Sequence, residues 1–255
     1  MWGIIPAAGS GSRIQPLAFS KELLPVGSQA WENVLRPRAV SEYLIERMVA
    51  AGVDKICFVI SSTKSDIMRY FGYGTGNLTF CYTVQPKPSG LCDAVFRPLP
   101  FIGDDENIII GLPDTIWFPE LALCELPDGG CSLLLFPVDR PEYYDAVRMD
   151  ENGRVLEVYV KQMQTVSNLI WGAIKMPGKI MRRLYSLWSS PGNGDEYIGT
   201  LLNKLIAGGE TVRGIRAGSV YVDVGTVNGY YKAVQLLNSK TSPGSSSLEF
   251  VHEHR

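Results

Sequence analysis

Runs of β-branched and aliphatic residues alternate with helical patterns through the first half of the chain. Between two such runs, Leu44, Ile45, Met48 and Val49 recur at helical spacing, and Gly52 then marks the end of the helix. The pattern predicts strands at 3–6, 55–61, 78–84 and 107–111 and helices at 40–51, 64–71 and 91–97. Because alternating strands and helices favour parallel pairing, we expect a mostly parallel sheet with helices on both faces.

The second half of the chain predicts consecutive strands joined by short turns. The predicted strands are 132–137, 144–149, 154–160, 168–175, 211–217 and 219–223, and the predicted helices are 178–188, 196–207 and 227–238. Consecutive strands with tight turns indicate an antiparallel meander, which we place beside the parallel sheet. We therefore predict one mixed-sheet α/β domain over residues 1–238 and a Ser/Gly-rich flexible tail over 239–255.

Composition narrows the possible functions. Apolar residues make up 45% and charged residues 20% of the 255-residue chain, a globular balance that excludes disorder and coiled coil. A net charge of -2 argues against a nucleic-acid partner. No apolar run approaches the roughly 20 residues that span a bilayer, and the N-terminus predicts no signal peptide. Five scattered cysteines indicate reduced thiols and a cytoplasmic location.

Histidine is confined to the end of the chain. The two histidines are His252 and His254, both within the last four residues. This placement argues against a Ser-His-Asp triad, a Cys-His protease and a His-ligated zinc site. We expect the chemistry to depend on carboxylates, lysine, arginine and backbone amides.

The first predicted strand leads into a loop of small residues followed by two cations, Arg13 and Lys21. The loop consists of Ala8, Gly9, Ser10, Gly11 and Ser12. Small residues let backbone N–H groups approach an anion, and the cations add the charge that a polyphosphate needs. A Gly-rich turn with two solvated cations is the alternative. A Rossmann Gly-x-Gly-x-x-Gly motif fails at Ile14, and no P-loop motif is present.

The joined pattern Gly9-Ser10-Gly11-Ser12-Arg13, Pro16, Lys21 and Pro25-Val26 resembles the sugar-1-phosphate nucleotidyltransferases, such as glucose-1-phosphate thymidylyltransferases and UDP-glucose pyrophosphorylases. The resemblance implies a Rossmann-like, glycosyltransferase-A-like domain with one mixed sheet and an antiparallel sugar-binding part. It also implies that the loop holds a nucleoside triphosphate, with Arg13 and Lys21 on the phosphates. These two residues are eight apart, a shorter spacing than the family usually has.

Later segments resemble the family's base and metal motifs. Gln85 and Gly90 match the Gln-x-x-x-x-Gly-Leu segment that contacts the nucleobase, which implies dTTP or UTP. Asp114 and Asp223 lie 109 residues apart at strand ends, where the family holds its metal. Two carboxylates suit Mg²⁺, which otherwise prefers phosphate oxygens and water. The alternatives are a Pro-rich surface turn for the first segment and helix-cap or turn roles for the aspartates.

The segments that the resemblance assigns to the sugar, called here the sugar end, depart from the family pattern. Lys161 matches the lysine that binds the sugar phosphate, but Val160 replaces the preceding Glu that holds sugar hydroxyls. Asp145 replaces a Gly of the Tyr-Gly-Val-Val segment, and Trp171-Gly172 resembles the strand end that contacts the sugar. These departures leave the identity of the sugar open.

The resemblance therefore predicts an enzyme that joins a nucleoside triphosphate to a sugar-1-phosphate and releases pyrophosphate. It implies Mg²⁺ as cofactor, the two substrates as partners, and neither nucleic acid nor membrane. We expect no C-terminal β-helix or acyltransferase extension. Two alternatives stay open: a cytidylyltransferase for an alcohol or polyol phosphate, which the short loop favours, and a catalytically silent nucleotide-sugar-binding homologue. The sequence leaves a homo-oligomer open.

Overall fold

A computed structural model describes residues 1–31, 34–190, 194 and 196–240, which form fourteen strands and six α-helices. The strands are β1 (Trp2–Pro6), β2 (Pro25–Trp31), β3 (Val34–Ala39), β4 (Lys55–Ser61), β5 (Gly74–Thr75), β6 (Leu78–Gln85), β7 (Asn107–Gly111), β8 (Thr115–Phe118), β9 (Cys131–Pro137), β10 (Asp145–Met149), β11 (Val155–Val160), β12 (Leu169–Pro177), β13 (Val212–Ile215) and β14 (Val220–Asp223). The helices are α1 (Val40–Ala50), α2 (Ser65–Phe71), α3 (Gly90–Phe96), α4 (Gly178–Ser189), α5 (Ile198–Ala207) and α6 (Val227–Lys240).

A ten-stranded mixed sheet forms the centre of the molecule. Strands β7, β1, β4 and β6 lie side by side in parallel, as the first half of the sequence predicts. Their apolar residues are buried on both faces: Ile108 and Ile110 pack against α3 and α4, whereas Ile109 packs with α1 on the other side. Helices therefore cover both faces, because uninterrupted apolar strands must be shielded from water on each side.

The antiparallel part is confirmed, but its predicted meander order is wrong. The nine-residue strand β12 pairs with β9 along one edge and with β7 and then β10 along the other. β10 pairs with β11, and β13 joins β9 in parallel. A buried strand of this length can serve three neighbours, so β12 lies between β9 and β10 and separates two strands that follow each other in the chain.

The sequence analysis did not predict two smaller sheets. β2 and β3 form an antiparallel hairpin, and the four-residue strands β8 and β14 pair with Asp223 opposite Thr115. An apolar cluster that includes Val26, Ile116 and Val222 holds both small sheets against α6. The β8–β14 pair matters for the site, because it brings a segment near residue 114 against one near residue 223.

α6 continues to Lys240, two residues beyond the predicted boundary of the domain. The predicted tail from residue 241 onward lies outside the described residues, so the division of the chain at residue 238 stays a prediction. Within the described ranges, no helix combines the length and apolar character needed to cross a membrane.

Candidate active site

The loop of small residues leaves the carboxyl end of β1, at the centre of the parallel sheet. Ala8 is buried at its start, whereas the segment 9–13 is largely exposed to solvent. Gly11 adopts φ 67°, and a Cβ there would lie 2.8 Å from Cδ of Lys21. Glycine is favoured here, because other residues rarely adopt this backbone conformation and a Cβ would displace the Lys21 side chain. The loop therefore presents accessible backbone directly beside one of the predicted phosphate-binding cations.

Lys21 forms an ion pair with Asp114 across the site. Its Nζ lies 2.5 Å from Oδ2 of Asp114, and both side chains are largely buried. Burial lowers the pKa of Lys21, but the charge and hydrogen bond of Asp114, together with the charges of Glu22 and Asp223, raise that pKa by more, to above its usual value. Lys21 is therefore a stable cation at neutral pH.

Arg13 and Asp223 form a second pair beside the first. Nη1 of Arg13 lies 3.0 Å from Oδ2 of Asp223, whose Oδ1 accepts a hydrogen bond from the Gly225 N–H at 2.8 Å. The Val224 N–H donates to the carbonyl of Asp114 at 2.8 Å, which extends the β8–β14 pairing by one bond. The structure thus brings together four predicted site residues: Arg13, Lys21, Asp114 and Asp223.

The two carboxylates converge on one small volume. A Cβ at Gly225 would lie 2.8 Å from Oδ2 of Asp114 and 2.9 Å from Oδ1 of Asp223. No group of three or more Asp, Glu, Cys or His side chains suited to a metal occurs in the part of the chain that the structure describes. Two converging carboxylates nevertheless fit Mg²⁺, because phosphate oxygens and water can complete its coordination.

Gln85 lies at the end of β6 and is buried. Its Nε2 donates to the carbonyl of Gly90 at 3.0 Å and to Oδ2 of Asp93 at 2.9 Å. Both amide hydrogens are therefore used inside the protein, and the amide oxygen is the atom left for a base edge. With Ala8 and Ser10, Gln85 lines a cavity of about 560 Å³.

The residues predicted at the sugar end gather around the first turn of α5. Asp145 pairs in register with Val160, and Nε1 of Trp171 donates to Oδ2 of Asp145 at 3.4 Å. A Cβ at Gly199, in that turn, would lie 3.2 Å from Oδ2 of Asp145 and 2.8 Å from Cγ2 of Val160. The carboxylate of Asp145 therefore lies beside the first turn of α5.

Gly172 and Lys161 flank this group. A Cβ at Gly172 would approach ring atoms of Phe136 and Tyr221 to 2.5 and 2.9 Å, so only glycine fits between them. Lys161 is exposed, adopts φ 45°, and places its Nζ 4.6 Å from the ring centroid of Tyr197, just before α5. Lys161 therefore lies against Tyr197 at the start of α5, one residue after the Val160 that pairs with Asp145.

A buried ion pair beneath the loop was missed by the sequence analysis. Nζ of Lys64 lies 2.8 Å from both carboxylate oxygens of Glu22 and 2.7 Å from the carbonyl of Ala7. Burial raises the pKa of Glu22 above its usual value, although Lys64 acts in the opposite direction. A signal was present in the sequence: Glu22 adjoins Lys21, and Lys64 follows the carboxyl end of a strand at the same edge of the sheet.

A mixed α/β sheet with a small-residue loop, two cations and two carboxylates at one edge is the arrangement expected of a nucleotide-using transferase. The chain belongs to the nucleotidyl transferase family, whose model matches residues 2–240. Glucose-1-phosphate thymidylyltransferase of Neisseria meningitidis is 28% identical over 66% of this chain and 58% of its own length. UTP–glucose-1-phosphate uridylyltransferase of Mycoplasma pneumoniae is 27% identical over 90% of this chain and 89% of its own length.

Solved structures agree on the fold. A putative glucose-1-phosphate thymidylyltransferase from Bacillus anthracis superposes with a TM-score of 0.78 at 23% identity, covering 95% of this chain and 97% of that one. The predicted fold class and family resemblance are therefore confirmed.

Proposed function

We propose that this protein transfers a nucleotidyl group from dTTP or UTP to a sugar-1-phosphate, releasing pyrophosphate and forming a nucleotide sugar. The observation that carries the proposal is the meeting of Lys21 with Asp114 and of Arg13 with Asp223 beside an exposed small-residue loop. A polyphosphate needs cations and backbone donors, and a metal needs carboxylates, so one site offers both. Two relatives are named glucose-1-phosphate thymidylyltransferase and UTP–glucose-1-phosphate uridylyltransferase, and these names support this substrate class.

The chain's own groups act by positioning and charge neutralisation. The loop N–H groups of residues 8–12, Arg13 and Lys21 bind the triphosphate, and Lys161 binds the sugar phosphate. An oxygen of the sugar phosphate attacks the α-phosphorus in line while pyrophosphate leaves. No covalent enzyme intermediate is required, so a site without histidine is adequate.

Asp114 and Asp223 would hold Mg²⁺, which when bound neutralises negative charge on the phosphates. The cations that now pair with these carboxylates would then be available to the triphosphate oxygens. We assign base contact to the amide oxygen of Gln85 and the backbone of Gly90.

The sugar end favours a ligand other than glucose. We propose that Asp145, Trp171 and Gly172 contact the sugar, and that Val160 cannot accept the hydrogen bonds that the usual Glu accepts. A modified or non-glucosyl phosphate follows as the better substrate. The free cysteines of the described chain are in keeping with the cytoplasm, where we place the protein.

A pyrophosphate-release screen tests the proposal. ATP, GTP, CTP, UTP and dTTP are each combined with a panel of sugar-1-phosphates and alcohol phosphates in the presence of Mg²⁺. We expect the highest rates with UTP or dTTP and a sugar-1-phosphate. Highest rates with CTP and an alcohol phosphate would favour the cytidylyltransferase, to which the short Arg13–Lys21 spacing points. Nucleotide-sugar binding without pyrophosphate release would identify a silent homologue.

A further inference from the structure

The segment Lys64–Asp66 contacts both ends of the connection 7–22, which contains the small-residue loop. Nζ of Lys64 bonds the carbonyl of Ala7, where the chain leaves β1, and both oxygens of Glu22, where this connection ends. Asp66 accepts hydrogen bonds from Ser20, through the backbone N–H at 2.6 Å and the hydroxyl at 2.7 Å. One short segment after β4 therefore fixes the two ends of the connection 7–22, and with them the loop, relative to each other.

The Lys64 contacts use the full bonding capacity of its ammonium group. A lysine carries three N–H donors, and Ala7 and the two oxygens of Glu22 accept one each. Glu22 is fully buried and Lys64 is 9% exposed. A buried ion pair is weak evidence for a gain in stability, because the desolvation cost can equal or exceed the attraction. A gain in stability therefore does not account for the buried Lys64–Glu22 pair, and a role in positioning the neighbouring chain is the alternative.

We infer that Lys64 is a positioning residue that holds the loop and Lys21 in the geometry that accepts a nucleoside triphosphate. The inference rests on the proposed function of the loop. Glu22 is the chain neighbour of Lys21, so fixing Glu22 fixes the backbone from which Lys21 reaches Asp114. Fixing the Ala7 carbonyl sets where the chain enters the exposed segment 9–13. Lys64 touches neither reacting group and acts through these two points.

The test compares Lys64→Met with the double variant Glu22→Met/Lys64→Met and the control Lys55→Met. Lys55 lies at the opposite end of β4, where its Nζ pairs with Glu106 at 2.5 Å. The Kd of dTTP and of UTP is measured by titration calorimetry, KM and kcat by pyrophosphate release, and thermal stability by circular dichroism. The double variant removes both buried charges, so it should fold even if Lys64→Met alone does not.

We expect both Lys64 variants to raise the Kd and KM for the nucleotide about ten-fold, as fits the loss of a bond that orders the loop. The kcat and the KM for the sugar phosphate should change less than about two-fold. The reason is that the lost contacts would weaken nucleotide binding equally in the ground state and the transition state. Lys55→Met should leave all four constants unchanged. A double variant with wild-type stability and wild-type nucleotide Kd would overturn the inference. Failure of the wild type to bind any nucleotide would refute the proposed function itself, and the inference with it.

Discussion

Gly225→Ala places a methyl group between the two site carboxylates. The new Cβ would lie 2.8 Å from Oδ2 of Asp114, 2.9 Å from Oδ1 of Asp223 and 3.4 Å from Nη2 of Arg13. Both carboxylate contacts are shorter than 3.0 Å, a separation that Cβ atoms essentially never show, so a neighbouring group must shift. The backbone at Gly225 does not have the positive φ that would itself disfavour alanine. The effect of the substitution is therefore steric and local.

The geometry sets the expected magnitudes. The two carboxylates must move apart to relieve their overlap with the new methyl group. Overpacking of this kind costs about 1–3 kcal/mol of folding free energy. For a chain of this size, each kcal/mol lowers the thermal midpoint by about 2–4 °C. Separated carboxylates can no longer share one Mg²⁺, so turnover should fall by about 10²-fold or more, comparable to losing one preorganised charge-stabilising group.

The assay is pyrophosphate release over a Mg²⁺ titration, with thermal unfolding measured on the same samples. Gly130→Ala is the matched control, because no atom lies within 4 Å of its Cβ position and its φ is not positive. We expect Gly225→Ala to need more Mg²⁺ and to turn over slowly, and Gly130→Ala to behave as wild type. If Gly225→Ala shows wild-type turnover and Mg²⁺ dependence, the carboxylates do not bind a shared metal.

Four further outcomes follow from the same site and its surroundings. Asp114→Asn and Asp223→Asn should each cut turnover by about 10²-fold or more with the fold intact; near-wild-type turnover at saturating Mg²⁺ would exclude that residue as a ligand. UTP or dTTP should exceed GTP and ATP in kcat/KM by about 10²-fold, and a steady-state preference for GTP would contradict the base assignment. Glucose-1-phosphate should be a poor substrate because Val160 cannot accept sugar hydroxyl hydrogen bonds; a kcat/KM above about 10⁵ M⁻¹s⁻¹ would contradict this. The hydrogen bond from Lys55 lowers the pKa of Glu106 to about 2, so its stabilisation is complete above the unfolded pKa of about 4.5 and is lost as the pH falls towards 2. Thermal melts should therefore show a larger acid destabilisation in wild type than in Lys55→Met, and equal slopes would contradict the assignment.

Sequence reasoning predicted which candidate site residues lie together better than it predicted the contacts that support them. Asp114 and Asp223 could be predicted together because the motif around each resembles a family motif, although Asp114 lies in the turn between β7 and β8 and only Asp223 ends a strand. The pairing of β8 with β14 could not, because strands of four residues separated by about a hundred leave no periodic pattern.

The contacts of Gln85 and Lys64 show the same limit. Gln85 was predicted to contact the nucleobase, but Gly90 and Asp93 accept both of its amide hydrogens. Lys64 was predicted only as the start of a helix, whereas its ammonium reaches Ala7 and Glu22. Which partner a polar side chain finds depends on tertiary packing, which no local pattern records.

The β8–β14 ribbon also bears on how the protein becomes active during synthesis. One carboxylate immediately precedes β8, and the other is the last residue of β14, so the pair exists only after both strands have met. During synthesis the four parallel strands can assemble once residue 111 has emerged. The carboxylate of Asp223 is still missing at that stage, so Asp114 has no partner carboxylate until residue 223 has been added. Because closure of such a distant contact comes late, the candidate site would form only after residue 223 has been synthesised rather than gradually.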